Sequence, residues 1–138
     1  MERIDIMQQA EVRFIGVVHC DILRPEDAPP FYDESERTGV LEIFPEYHDG
    51  LAGIAAGQTI TTLFWLHLAD RSTLKVYPRG DRTKGLHGVF ATRSPMRPNP
   101  IAVSELRVLA VNGGSIEVSG LDIINGTPIL DLKKRMKG

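Results

Sequence analysis

The tripeptide Asn112-Gly113-Gly114 separates two runs of alternating apolar residues, "SELRVLAV" and "SIEVSGL". Asparagine and glycine tolerate the positive backbone angles of a tight turn, so the flanking runs are expected to pair as a hairpin. Leu106, Val108 and Ala110 then alternate against Ile116 and Val118. No long helical period competes with this pattern. The runs "VRFIGVVHC" (Val12 to Cys20), "VLEIF" (Val40 to Phe44) and "TITTLFWLHLA" (Thr59 to Ala69) are β-branched or aromatic and bounded by turn residues. "STLKVYP" (Ser72 to Pro78) follows closely enough to pair with the third run, and "DIINGTPILDL" ends in a last short strand carrying Asp131. "PEYHDGLAGIAAGQ" (Pro45 to Gln58) has room for one short helix ending near Gly57. The expectation is a mainly β fold, a barrel or sandwich of about seven or eight strands with one short helix.

A length of 138 residues suits a single domain, residues 1–138, with a core of its own. Hydrophobic residues make up 42% and charged residues 25%, which is globular rather than disordered. A net charge of -2 argues against a generally basic nucleic-acid coat but leaves room for a local basic patch. Cys20 is the one cysteine, so neither an intrachain disulfide nor a cysteine-rich metal site can form, as befits a reducing compartment. His19, His48, His67 and His87 are too scattered to propose a metal set, and none is expected. No apolar run approaches the roughly 20 residues of a membrane span, and the start "MERIDIMQQAEVRF" lacks a signal peptide's order. The expected location is cytoplasmic.

Against this β background one polar segment is unusual. "GVFATRSPMRPNPIAVS" (Gly88 to Ser104) holds Pro95, Pro98 and Pro100, which fix φ and push Ser94, Arg97 and Asn99 toward extended conformations. Such a loop is shaped before a ligand arrives, which lowers the entropy lost on binding, and its carbonyls can accept hydrogen bonds. Arg93 and Arg97 each offer a planar fork to a carboxylate or phosphate. On chemistry alone a ligand loop and a rigid turn with solvated or ion-paired arginines stand level. No Gly-x-Gly-x-x-Gly follows a strand and no βαβ alternation exists, so a doubly wound cofactor domain is excluded.

"GVFATRSPMRPNPIAVSELRVL" followed by "GLDIINGTPILDLK" resembles the two-part signature of the TsaA-like, or TrmO, family. The likeness runs from about Phe14 to Lys133, diffuse before Leu86 and dense after it. It implies a small β-barrel methyltransferase that uses S-adenosylmethionine, acts on N6 of threonylcarbamoyladenosine in tRNA, and forms a homodimer. Position by position, Phe90, Ala91, Arg93, Ser94, Arg97, Pro98 and Asn99 match the family's cofactor loop. Leu121, Asp122, Thr127 and Asp131 match its second motif, and Leu121 and Thr127 are taken with the cofactor site. Asp122 and Asp131 are the candidate catalytic carboxylates, able to orient the acceptor amine or take its proton.

The chain also departs from the family pattern. "LRPEDAPPF" stands where a Pro-Arg-Gln element is usual, "GQTITTLFW" lacks a Ser-His pair, and the ending reads "LDLKKR" rather than "LDIKPY". No additional C-terminal domain is expected. The Pro-rich connection Asp21 to Gly39 suits a lid or partner surface, and Arg71, Arg79, Arg82 and Lys84 can supply a phosphate-binding edge. The alternatives are methylation of a small molecule at the same cofactor site, and a noncatalytic module that binds S-adenosylmethionine.

Overall fold

The computed structural model describes residues 7–28 and 36–136. Among these described residues eight strands follow one another: β1 (Gly16–His19), β2 (Thr38–Ile43), β3 (Thr59–Trp65), β4 (Lys75–Val76), β5 (His87–Gly88), β6 (Ile101–Asn112), β7 (Ser115–Ser119) and β8 (Pro128–Lys134). Six of them close a barrel in the order β1-β2-β7-β6-β3-β8, every pairing antiparallel, while β4 and β5 form a separate two-stranded ribbon. Closure removes the open sheet edges that would otherwise invite association.

Alternation explains which side chains fill the barrel. Along β3 the buried positions are Ile60, Thr62 and Phe64, and along β6 they are Ser104, Leu106 and Val108. Val18, Leu41, Ile116, Val118 and Ile129 complete the interior from the other strands. The hairpin turns at Gly113, whose φ of 59° is left-handed. Its ladder shifts register between Val108 and Ala110, so Val111 rather than Ala110 stands opposite Ile116. That bulge bends the long strand around the barrel.

Three local expectations change. The helical segment is a seven-residue 3-10 helix, Pro45–Leu51, and stops well before Gly57. The first strand is confined to Gly16–His19, because Val12 and Phe14 are exposed and bury no alternating face. "STLKVYP" does not pair with β3: Lys75 and Val76 pair with Gly88 and His87, and both edges of β3 are occupied by β6 and β8. The middle of the Asp21 to Gly39 connection, residues 29–35, and the last two residues of the tail lie outside the described residues.

Candidate functional site

One end of the barrel gathers the exit of β1, the exit of β3, the entry to β6 and the β7–β8 connection. Register sets this, since Trp65 at the end of β3 faces Ile101 at the start of β6, and Val17 faces Pro128 at the start of β8. The β7–β8 connection is tied to the exit of β1 by Gly126 N donating to Val18 O (2.8 Å), Asn125 N to Ile22 O (2.7 Å) and Cys20 N to Asn125 Oδ1 (3.0 Å). Between these segments lies a cavity of about 540 Å³. That is the size class of small-molecule and cofactor sites.

Residues Leu66 to Asp70 line one part of it and Arg93, Pro95 and Met96 another. Ala102, Ile123 and Ile124 give an apolar base, on which Asp122 and Thr127 place polar groups. Pro25 and Ala28, the described start of the long connection, reach the rim.

Asp122 is the chemically distinctive group. Its Oδ1 accepts a 2.7 Å bond from the hydroxyl of Ser104, which is fully buried in β6. Burial pushes the Asp122 carboxyl above the usual carboxylate range, opposed by the Ser104 hydrogen bond, its own backbone amide and the positive charge of Arg93. Asp70, the other carboxylate on the wall, is differently engaged. It accepts from Ser72 N (2.7 Å), Ser72 Oγ (2.7 Å) and Thr73 Oγ1 (3.0 Å), which hold its pKa low. Asp122 is thus the acidic group in the cavity that has not been taken up by a turn. Thr62, opposite Ser104 in the β3–β6 register, carries a buried hydroxyl with no partner among the described residues, so the polar line continues into the barrel.

The expected site residues divide. Arg93, Asp122 and Thr127 line the cavity together. Arg93 also donates from Nη2 to Val103 O (3.2 Å), and Thr127 Oγ1 donates to Ile124 O (2.8 Å). Ser94 and Arg97 instead build the loop. Ser94 Oγ accepts from Met96 N (3.1 Å), and Arg97 Nη1 donates to Thr92 O (3.2 Å) and Ser94 O (3.1 Å). Pro98 and Asn99 face Arg71, whose Nε donates to Pro98 O (2.8 Å) and whose Nη2 lies 3.5 Å from Asn99 Oδ1. Phe90 and Ala91 sit on the 3-10 turn Val89–Ala91 outside the cavity, Phe90 being 78% exposed, and Leu121 is fully buried in the core.

Asp131, the other candidate catalytic carboxylate, does not line the cavity. It stands on β8 opposite Leu63, is half-exposed, accepts from Leu132 N (2.8 Å), and pairs with Lys133 at 3.3 Å. The expected phosphate edge is also divided. Arg71 is engaged with the signature loop and lies over the Trp65 ring at 5.0 Å, whereas Arg82 lies over Tyr77 at 5.1 Å. Sequence reasoning missed Ser104, the wall Leu66 to Ala69 and the rim at Pro25. Ser104 did carry a signal, a hydroxyl in phase with the inward Leu106 and Val108.

A family model described as the tRNA-methyltransferase O N-terminal domain matches residues 17–137. The chain belongs to this family. The TrmO family is a family of S-adenosylmethionine-dependent methyltransferases. Two crystal structures of TrmO from Pseudomonas aeruginosa superpose with TM-scores of 0.75 and 0.68 at 28% and 29% identity. They cover 97% and 94% of this chain, which spans 57% of each of them. Among curated relatives, a probable S-adenosyl-L-methionine-binding protein of Methanothermobacter thermautotrophicus is 40% identical over 91% of this chain and 89% of its own length. An S-adenosyl-L-methionine-binding protein of Archaeoglobus fulgidus is 39% identical over 87% of this chain and 85% of its own.

The cavity's donor set suits such a cofactor. Apolar walls can cover a purine, and a carboxylate held in place by Ser104 can accept from hydroxyl or ammonium groups and offset positive charge. Among the described residues no group of three or more His, Cys, Asp or Glu side chains could hold a metal ion, and no helix is long and apolar enough to cross a membrane.

Proposed function

We propose that the protein binds S-adenosylmethionine in the barrel-mouth cavity and methylates N6 of threonylcarbamoyladenosine in tRNA. The observation that carries this is Asp122, partly desolvated and fixed by Ser104 at the base of an apolar cavity walled by the proline-rich signature loop. The cofactor's chemistry is an already activated methyl group, so the chain has mainly to align the reactants and exclude water. Leu66, Ala102 and Ile123 exclude water, and the prolines and the Arg97 hydrogen bonds hold the loop to one shape. The Asp122 carboxylate orients a donor group in the cavity and can accept a released proton. Asp131, outside the cavity and paired with Lys133, is not assigned that role.

The β4–β5 excursion favours a tRNA acceptor. It leaves the cavity wall after Asp70 and returns at Arg93, so its cationic turn is anchored at the cavity at both ends. That turn carries Arg79, Arg82 and Lys84, with Arg79 at a left-handed φ of 52°. Strained backbone held in a polar loop is a recurrent mark of binding segments. Exposed Leu86 and Phe90 on the same excursion supply apolar surface for the homodimer. A tRNA acceptor makes the cytoplasm the site of action.

Incubation with labelled S-adenosylmethionine and separate RNA and metabolite pools, followed by mass analysis, tests the reading. Label should enter tRNA at the modified adenosine. Label in the metabolite pool alone would favour a small-molecule acceptor, and binding without transfer would leave a cofactor-binding module. Binding of tRNA should weaken steeply as salt rises, because phosphate contacts release counterions. Arg93→Ala should weaken S-adenosylmethionine binding by roughly tenfold, the contribution of a charge-assisted contact. Unchanged affinity by calorimetry would count against this placement of the pocket.

A further inference from the structure

Two of the segments that line the cavity are fastened to each other. Leu66 N donates to Pro100 O (2.8 Å) and Arg97 N donates to Asp70 O (3.1 Å), so the exit of β3 runs beside the signature loop. Arg71 completes the join through Pro98 O (2.8 Å) and Asn99 Oδ1 (3.5 Å), with its guanidinium over the Trp65 ring. The turn that presents Arg71 is fixed in turn by the Asp70 carboxylate gathering Ser72 and Thr73.

The loop itself is internally stiff. Its prolines, the Arg97 bonds to Thr92 and Ser94, and the Ser94 N bond to Thr92 Oγ1 (3.1 Å) constrain its shape. The join between the two lining segments therefore fixes where the loop's cavity-lining residues sit relative to Leu66 to Asp70. We infer that Arg71 is a positioning residue for the cofactor, acting through Pro98 and Asn99 with Trp65 as its platform. It does not line the cavity. Arginine suits this position because one planar group both stacks on an indole and directs two donors along a fixed fork, which an ammonium cannot do.

The inference rests on the proposed cofactor for its affinity readout, but not for its readout of loop position. Trp65 is the single tryptophan of the chain, so its emission reports the Arg71 stack directly. Arg71→Ala should weaken S-adenosylmethionine binding in the absence of RNA by roughly tenfold. It should also shift Trp65 emission and speed exchange of the Arg97 amide. Arg71→Lys should recover part of the affinity, and Asn99→Ala should weaken binding less than Arg71→Ala and add little to it, since both act on one join. Asn99→Ala also serves if Arg71→Ala fails to fold. Wild-type affinity in Arg71→Ala overturns the inference whatever happens to exchange, as does a defect confined to RNA binding. If the wild-type protein binds no S-adenosylmethionine, the proposed function fails. Unchanged emission and Arg97 exchange in Arg71→Ala would then overturn the join separately.

Discussion

Asp122→Asn is expected to weaken S-adenosylmethionine binding by roughly 10- to 100-fold, the range for losing a charge-assisted hydrogen bond, and to reduce methyl transfer at least as much. The same substitution should make the protein more stable at neutral pH. Asparagine keeps the shape and can still accept the Ser104 hydroxyl bond, so no cavity forms and that donor is not orphaned. What disappears is the cost of ionising a carboxyl in a desolvated place.

The sign follows from linkage. Burial raises the folded-state pKa of Asp122 above its unfolded value, so between the two the native state holds more protons. The stabilising contribution of this carboxyl is fully present below the unfolded pKa of about 3.9 and is lost as pH rises through the raised folded value. Melting temperatures of the two proteins should converge near pH 4 and separate toward neutrality, with the asparagine variant the higher. Wild-type binding should strengthen as Asp122 ionises, while binding by the variant lacks that component. A variant that lost affinity together with stability at pH 7 would point to a structural role for Asp122 instead.

The second large effect concerns the seam of the barrel. Gly16 pairs with Ile43 on one side and Ile129 on the other, where β1 joins β2 to β8. A Cβ there would overlap the Glu42 carbonyl oxygen and approach Ile43 Cα at 3.1 Å, all of it backbone with no rotamer to relieve the clash. Gly16→Ala should therefore lower stability by about 3 kcal/mol, or roughly 10 °C in melting temperature, by forcing the strands apart. Gly50→Ala is the control, since its Cβ would meet nothing within 4 Å, and it should change stability by no more than about 0.5 kcal/mol. Equal effects of the two would remove the close-approach explanation.

Local patterns were readable where local chemistry decides the outcome. The Asn112-Gly113-Gly114 turn, the alternation along β3 and β6, and the stiffness of the proline-rich loop all follow from neighbouring residues. Long-range partners did not follow. Nothing in "STLKVYP" says that β3 already has both edges filled, which is why that segment turns outward to pair with His87 and Gly88. The same limit divided the site residues. Proline spacing showed that Arg97 and Asn99 sit in a fixed loop, but not that Arg97 bonds inward to Thr92 and Ser94 or that Asn99 faces Arg71. Pro25, Leu66 and Asp122 reach one cavity, with Ser104 behind Asp122, only because barrel register brings distant segments to the same end. The inward phase of Ser104, and of Thr62 opposite it, was the one local hint of a polar line in the core.

Amide hydrogen exchange with and without S-adenosylmethionine locates the bound cofactor. Slower exchange should concentrate in three stretches that are distant in sequence: Leu66 to Asp70, Arg93 to Ala102, and Asp122 to Thr127. Protection at the opposite end of the barrel, around Arg107 and Lys134, with these three stretches unchanged, would contradict binding in the barrel-mouth cavity.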